Sequence, residues 1–333
     1  MSDATMKPRT GFSWRRIDMA AVAPFVALAV LLIAGIFVNE NFLTVNNLVN
    51  VATRAAFTAI IGVGATFVIS AGGLDLSVGS MTAFVASLMI MFLNTGIISD
   101  PLTMLFAGVA VALLLGAACG LGNGLIITVG RIEPFIATLG TMGVLRGLTT
   151  YLSQGGSITL QNEDIENLYH PVYFGDLLGI PVPIIFIALT AIVGAFVLYR
   201  TPYGRHVVAV GSSEDVARYS GIAVGRVRTI TYMIQGLCVG IAVLLYVPRL
   251  SASNATTGLL WELQAITAVV VGGTALRGGV GRIWGTVCGA LILEIVGNIM
   301  LLSNFISQYL IGAVQGAIII VAMLVQRSLM RRT

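Results

Sequence analysis

AGGLDLSVGS, residues 71–80, places a single aspartate between two long apolar runs and surrounds it with glycines. Glycine adopts backbone conformations that interrupt a helix, so this stretch predicts a break between two helices. A carboxylate such as that of Asp75 is costly in an apolar setting unless the protein satisfies it. The stretch therefore indicates a polar feature inside an apolar structure, whose nature follows from the rest of the chain.

The composition is that of a membrane protein. Hydrophobic residues make up 57% of the chain, charged residues 10%, and the mean hydropathy is +0.97. Soluble domains average roughly 45–50% apolar and about 25% charged residues. We therefore predict an all-α, polytopic transmembrane helical bundle. Its three cysteines each lie within an apolar run without metal-ligand spacing, so we expect core residues rather than disulfides or a metal site.

Apolar runs of about 20 residues predict the helices that cross the bilayer. Eight runs are clear, and two shorter ones suggest tilted or interrupted helices. The first run is longer than a signal-peptide core and is expected to be retained. The eight runs lie near 19–38, 53–70, 104–128, 134–153, 182–199, 229–247, 283–302 and 307–326, and the two shorter ones near 78–93 and 262–276.

The distribution of basic residues predicts the orientation, because cytoplasmic loops collect Lys and Arg. With both termini in the cytoplasm, fifteen of the eighteen basic residues fall on the cytoplasmic side. The outer loop 154–181 has no Lys or Arg. The predicted organisation is a tail at 1–18, a transmembrane domain at 19–326 and a tail at 327–333. The net charge of +4 then reflects orientation and not nucleic-acid binding.

Glycines serve two predicted purposes. Small-xxx-small spacing, as at Gly116, Gly120 and Gly124, lets helices approach closely in lipid. The pattern of glycines and a leucine in 72–79 also recurs in 272–279, at an offset of 200. Either the match is chance, or two related broken helices meet near a transport pathway.

Several chemistries are excluded by residue counts. The chain has one lysine, Lys7, and two histidines, His170 and His206, both expected in loops. It has no phosphate-binding G-x-x-x-x-G-K-[ST] motif and no H-E-x-x-H zinc motif. We therefore predict no catalytic residue, no metal and no cofactor on this chain.

Two charges fall near the middle of predicted spans. Ionisable groups at that depth are functional candidates, because each costs a few kcal/mol to insert. Arg146 and Glu294 are the two. We predict that they form a mutual pair inside the bundle, with a role in a substrate path as the alternative.

The longest basic inner segment is 200–228. Ser212 or Ser213 can cap a short helix that begins at Glu214, and Gly221 would end it about two turns later. A short helix on the membrane face offers a socket to a soluble partner, whereas the plain alternative is a solvated linker.

Four motifs together resemble one family of transporters. They are GGLDLSVGS at 72–80, GLGNGLIITVGRIEPFIATLGTMGVLRGL at 120–148, YGRHVVAVGSSEDVARYSGIAVGRVR at 203–228 and ELQAITAVVVGGTALRGGVGRIWGT at 262–286. In this order they resemble the membrane permease of ribose-type ATP-binding cassette sugar importers, over about residues 40–326.

The resemblance implies a permease subunit in the bacterial inner membrane, which moves a small sugar or polyol by alternating access. The implied partners are a separate ATPase that carries ATP and Mg²⁺, a periplasmic binding protein, and a second permease copy in a homodimer or heterodimer. The implied ATPase-coupling residues are Glu214, Asp215, Ala217, Arg218 and Gly221.

The pathway residues are predicted with the resemblance in view. Asp75 and Ser77 follow the glycine break and can cap the next helix, so they either line a gate or only cap it. The sequence departs from the family's usual pattern at Leu74, Gln264, Arg277 and Glu294. The loss of a carboxylate at 264 and the gain of one at 294 allow a sugar other than the better-known pentoses. Candidates for a hydroxyl-friendly lining are Asn123, Gln235, Glu262, Gln264 and Asn298.

Other functions are weighed against this one. A same-family permease for a signalling molecule or a branched-chain amino acid is the nearest alternative. An ion-coupled secondary transporter would need a chain of intramembrane carboxylates, which we do not find. A membrane enzyme would need a nucleophile and base or a metal, which the two loop histidines do not supply.

Overall fold

The computed structural model describes residues 19–303, together with 310, 312–314, 316–318 and 320. The predicted tails at 1–18 and 327–333, and most of the predicted span at 307–326, lie outside these residues. Within them the fold is a helical bundle with short strands at one end. The all-α prediction is therefore confirmed in its coarse form.

Nine helices carry the apolar runs, and each corresponds to a predicted span in the described part of the chain. They are α1 (Met19–Val38), α2 (Val45–Ser70), α3 (Val78–Asn94), α4 (Pro101–Thr128), α5 (Pro134–Leu152), α8 (Val182–Arg200), α11 (Val224–Leu250), α12 (Trp261–Val271) and α13 (Ile283–Ser303).

Six of these helices are long and apolar enough to cross a membrane, namely α1, α2, α4, α8, α11 and α13. The two predicted short spans correspond to α3, with 17 residues, and α12, with 11. The prediction of a span at 262–276 is too long, because a turn at Gly272 and Gly273 ends α12 at Val271.

Helix starts are set by local capping. Thr44 caps α2 by accepting the amide of Asn47 at 3.4 Å. Asp100 caps α4 by accepting the amide of Thr103 at 2.8 Å, and its hydrogen bonds to Thr103 hold the pKa of the Asp100 carboxyl below its usual value. Both caps satisfy amide groups that a helix leaves unpaired at its first turn.

Helices α2 and α11 form the centre of the bundle, and α11 packs most extensively against α4. The predicted close approach at glycines is confirmed at this contact. A side chain on Gly116 would overlap the carbonyl of Gly236, and one on Gly120 would overlap the carbonyl of Tyr232. The glycines therefore bring the two backbones into direct contact, as packing in lipid favours.

The remaining elements lie in the connections. Between α5 and α8 they are β1 (Ser157–Thr159), α6 (Glu163–Tyr169), α7 (Pro171–Phe174), β2 (Asp176–Leu177) and β3 (Ile180–Pro181). Between α8 and α11 lie α9 (Pro202–Ser212) and α10 (Glu214–Tyr219), and β4 (Ala252–Asn254) follows α11. Strand β1 pairs antiparallel with β4, and β2 pairs with β3.

Candidate functional site

The break segment, residues 71–77, separates α2 from α3. Helix α2 ends at Ser70, and Gly72 then takes a φ of 79°, a value that favours glycine. The amide of Gly73 donates to the carbonyl of Val68 at 2.9 Å, which closes the end of the helix. The predicted interruption of the helix is thus confirmed.

Asp75 organises the rest of the break segment. Its Oδ1 accepts the backbone amide of Ser77 at 2.8 Å and the Ser77 hydroxyl at 2.6 Å. Asn123 on α4 donates to the same hydroxyl oxygen at 2.8 Å. All three side chains are buried. The Asp75–Ser77–Asn123 cluster therefore fixes the segment against α4.

This arrangement corrects the predicted helix cap. The Ser77 side chain does not accept an amide from α3, because its hydroxyl donates to Asp75 and accepts the side-chain amide of Asn123. Asp75 accepts the amide of Ser77 itself rather than an amide in the first turn of α3. Its Oδ2 is buried and has no hydrogen-bond partner in the described part of the chain. The carboxylate holds a turn instead of capping the helix.

Tyr232 on α11 closes the other side of the break segment. Its hydroxyl donates to the carbonyl of Leu74 at 3.0 Å, and the side chain is only 1% exposed. A β-carbon on Gly73 would lie 2.6 Å from the tyrosine oxygen, so only glycine leaves room for this contact. Sequence reasoning missed Tyr232, because a tyrosine in an apolar helix gives no signal of its partner.

A second glycine turn follows α12 and has the same geometry. Gly273 takes a φ of 86°, and the amide of Thr274 donates to Val269 at 3.1 Å, as that of Gly73 does to Val68. The matching positions are therefore Gly72 and Gly273, an offset of 201, so the sequence alignment at 200 is one residue out of register.

The connection that follows α12 meets the end of α2 and the end of α9. The amide of Gly279 donates to the carbonyl of Ser70 at 3.0 Å. A side chain on Gly211 would overlap that same carbonyl, and a β-carbon on Gly278 would lie 3.0 Å from the amide of Gly72. We call this contact, formed by Ser70, Gly72, Gly211, Gly278 and Gly279, the glycine junction. It joins the α9–α10 connection to both breaks.

The predicted pair between Arg146 and Glu294 is wrong. Arg146 donates through Nη1 to the carbonyls of Ala255 and Thr257, at 2.6 and 2.7 Å, and its acidic neighbour is Glu262. Among the described residues, the charges that interact electrostatically with Glu294 are instead Arg54 and Arg249.

Glu262 lies in the first turn of α12 and is 8% exposed. A β-carbon on Gly79 would lie 2.5 Å from its Oε2, an oxygen that has no hydrogen-bond partner among the described residues. Arg146 therefore ties α5 to the loop that precedes α12, and Glu262 at the start of α12 interacts with it electrostatically. Glu262 is therefore close to the end of the break segment, because Gly79 is the second residue of α3.

The other predicted lining residues are engaged separately. Gln235 is fully buried and donates to the carbonyl of Ile61 at 3.3 Å, which ties α11 to α2. Asn298 and Asn47 exchange two amide hydrogen bonds, of 2.8 and 3.0 Å, between α13 and α2. Gln264 is half-buried on α12. The structure does not bring these residues together, and their role in a pathway stays a prediction.

The segment between α8 and α11 folds as two short helices. Ser213 caps α10 by accepting the amide of Val216 at 3.4 Å, and Gly221 follows the helix with a φ of 80°. Both predictions are confirmed in geometry. Ala217 is buried against the bundle, whereas Asp215 and Arg218 are exposed.

Helix α10 exposes two apolar side chains that sequence reasoning missed. Val216 is 63% exposed and Tyr219 is 91% exposed. An exposed tyrosine on a short helix is typical of a contact surface, because aromatic residues contribute strongly to interfaces. The signal in the sequence was the placement of Val216 and Tyr219 three residues apart, on one face of a helix that carries three charged residues.

No group of three or more His, Cys, Asp or Glu residues that could hold a metal ion occurs among the described residues. The polar groups described above offer hydrogen bonds and shape rather than a reactive centre. The arrangement holds the break between α2 and α3 in a defined conformation and connects it to the end of α9.

Comparison with known proteins gives a consistent result. A family model described as branched-chain amino acid transport system / permease component matches residues 47–323. The ribose import permease protein of Haemophilus influenzae is 38% identical over 300 residues, which cover 90% of this chain and 91% of that protein. The ribose import permease protein of Bacillus subtilis is 39% identical over 310 residues, 93% of each chain. The D-allose transport system permease protein of Escherichia coli is 32% identical over 91% of this chain and 90% of its own.

Proposed function

This chain belongs to the family described as branched-chain amino acid transport system / permease component, and from that premise we propose that it is the membrane permease subunit of an ATP-driven importer for a small sugar. It is a multi-pass protein of the bacterial inner membrane. The observation that carries the choice of substrate is that relatives which match it over nine-tenths of both chains are named for ribose and allose.

The topology we propose has ten spans with both termini in the cytoplasm. Nine helices of the described part of the chain fit it, and the positive charges favour it. The contact between the glycine turns after α2 and after α12 supports it as well, because this topology puts both turns on the cytoplasmic side.

Helices α9 and α10 then face the cytoplasm and offer the contact surface for the ATPase. We assign Val216 and Tyr219 as the central anchors, with Asp215 and Arg218 around them. Apolar and aromatic anchors inside a polar surround are the usual arrangement of an interface. ATP and Mg²⁺ are bound by that partner, and this chain supplies no group to the hydrolysis.

A second permease copy is expected on α5. This helix exposes Ile136 and Val144, at 61% and 60%, and a side chain added at Gly140, Gly143 or Gly147 would meet no atom within 4 Å. Small residues let the backbones of partner helices approach closely in lipid. The same face in two copies therefore provides a self-complementary contact, and the polar groups near it would border a pathway between the subunits.

Transport in this arrangement requires alternating access and no covalent step. The break segment is our candidate for the cytoplasmic part of the pathway, because irregular backbone at membrane depth is tolerated where it is buried in protein or lines a cavity. A weak lining suffices here, since the proposed binding protein concentrates the sugar before delivery.

The test is substrate-stimulated ATP hydrolysis. The permease is reconstituted in nanodiscs with a candidate ATPase and a candidate binding protein and is assayed against a panel of sugars, polyols and branched-chain amino acids. Stimulation by one sugar, lost in Glu214→Ala/Gly221→Asp, is the expected result. Stimulation by leucine, isoleucine or valine alone would move the substrate to the class that the family description names. Solute movement driven by an ion gradient without ATPase would contradict the proposal.

A further inference from the structure

Glu214 connects α10 to α11 through its partly exposed side chain. Its two carboxylate oxygens each form an ion pair, Oε1 with Arg218 at 2.6 Å and Oε2 with Arg228 at 2.8 Å. Arg218 belongs to α10 and its side chain is 65% exposed, whereas Arg228 belongs to α11 and is 23% exposed. The pair with Arg228 is the less screened of the two, and it connects different helices.

Arg228 and Tyr232 occupy the same face of α11, because they are four residues apart. Tyr232 is buried and donates its hydroxyl to the carbonyl of Leu74 in the break segment. The carbonyl it reaches immediately precedes Asp75, whose carboxylate holds the turn. One turn of α11 therefore separates the attachment of α10 from the attachment of the break segment.

That turn of α11 packs closely against α4. The backbone of Tyr232 lies directly against Gly120 of α4, and that of Thr229 lies against Gly124. Because Arg228 and Tyr232 lie on one continuous helix, a displacement of Arg228 along the helix axis moves Tyr232 with it. Two other connections start from α9 instead of α10. The hydroxyl of Tyr203 donates to the carbonyl of Val227 on α11 at 3.3 Å, and Gly211 lies against Ser70 in the glycine junction.

We propose that Glu214, Arg228 and Tyr232 are positioning residues that transmit movement of α10 to the break segment. The relay runs from the Glu214–Arg228 ion pair, through one turn of α11, to the hydrogen bond between Tyr232 and Leu74. It rests on the proposed function, in which an ATPase moves α10. It also gives Glu214 a role inside the permease, while Val216 and Tyr219 form the surface that the ATPase contacts.

The first experiment needs no partner protein. Amide hydrogen exchange of 71–77 is measured in the full permease in nanodiscs. Tyr232→Phe, which removes only the hydroxyl, is expected to speed exchange there about threefold or more, whereas Tyr203→Phe, the matched loss of a hydroxyl between α9 and α11, leaves it unchanged.

Remote variants then test the relay itself. Glu214→Gln is expected to speed exchange in 71–77 at least about twofold, whereas Asp215→Asn, next to it on α10, has no such effect. In a Tyr232→Phe background, Glu214→Gln is expected to add nothing further. Arg228→Lys, which keeps the charge, is the milder variant if Glu214→Gln accumulates poorly. If Glu214→Gln and Arg228→Lys both leave 71–77 unchanged while Tyr232→Phe speeds it, the relay is wrong.

The second experiment measures sugar transported per ATP hydrolysed in the assembled importer. Tyr232→Phe is expected to retain the ATPase on purification and to lower that ratio at least about fivefold, while Tyr203→Phe retains it. An unchanged ratio in Tyr232→Phe would overturn the relay. Absence of substrate-stimulated hydrolysis in the unmodified chain would instead overturn the importer assignment, and the exchange measurements would still decide whether α10 and the break segment are connected.

Discussion

The amide of Gly279 donates a 3.0 Å hydrogen bond to the carbonyl of Ser70, although 209 residues separate them, about two-thirds of the chain. This bond joins the end of α2 to the turn between α12 and α13, and Gly211 at the end of α9 lies against the same carbonyl. Backbone groups of three connections therefore meet without intervening side chains.

Gly211→Ala is expected to disrupt the glycine junction. The added methyl overlaps the Ser70 carbonyl, so the end of α9 must move away from both breaks. We expect a loss of about 1–3 kcal/mol, measured as a melting temperature lowered by about 2–10 °C in detergent, together with reduced transport. Gly225→Ala is the control, because its nearest neighbour would be Thr128 at 3.7 Å, an ordinary contact. Equal melting temperatures for the two variants would show that the junction is not tightly packed.

Gly120→Ala is expected to separate α4 from α11. The methyl overlaps the carbonyl of Tyr232, so the two backbones can no longer touch. Gly122→Ala, two residues along the same helix, meets no atom within 4 Å and supplies the matched control. Thermal unfolding of the two variants should show Gly120→Ala lower by about 2–10 °C and Gly122→Ala near the unmodified chain. A fall of similar size in both would point to helix propensity rather than packing.

The sequence predicted the helices well because lipid selects long apolar runs, but it placed the starts of two long helices too late. Helix α2 begins at Val45 and α11 at Val224, whereas the predicted runs begin at 53 and 229. Hydropathy falls where the chain leaves the hydrocarbon, while capping by Thr44 continues α2 beyond that point. Helix boundaries depend on local hydrogen bonds, which a window of hydropathy does not contain.

The site was predicted less well, because the depth of a residue in the membrane does not determine which neighbouring helix its side chain faces. Arg146 and Glu294 have similar predicted depths, but each faces different helices, so they do not pair. The pairing of Asn47 with Asn298 was missed for the same reason. The two side-chain amides bond to each other, but the sequence shows only two isolated polar residues. Asp75 was identifiable because glycines flank it, whereas Tyr232 was not.

Asp75→Ala and Asp75→Asn are expected to differ. Alanine removes the acceptor for both the amide and the hydroxyl of Ser77, so the break segment loses its turn. The amide oxygen of asparagine can still accept one or both bonds. We expect sugar uptake, normalised to permease in the membrane, to fall about tenfold or more for alanine and clearly less for asparagine. Normal uptake and normal protein levels in both variants would remove any role for Asp75, whether structural or in the pathway.

Arg146 is expected to act together with Glu262 and independently of Glu294. Arg146→Met leaves the carbonyls of Ala255 and Thr257 without their donor and leaves Glu262 without its nearby positive charge, so we expect a loss of about 2–4 kcal/mol.

Double-mutant cycles based on thermal unfolding test the two pairings. Arg146→Met with Glu262→Gln should be non-additive by about 0.5–3 kcal/mol, because the two charges interact electrostatically. Arg146→Met with Glu294→Gln should be additive within about 0.5 kcal/mol, since Glu294 lies near Arg54 and Arg249 instead. Non-additivity with Glu294→Gln and additivity with Glu262→Gln would instead support a pair between Arg146 and Glu294.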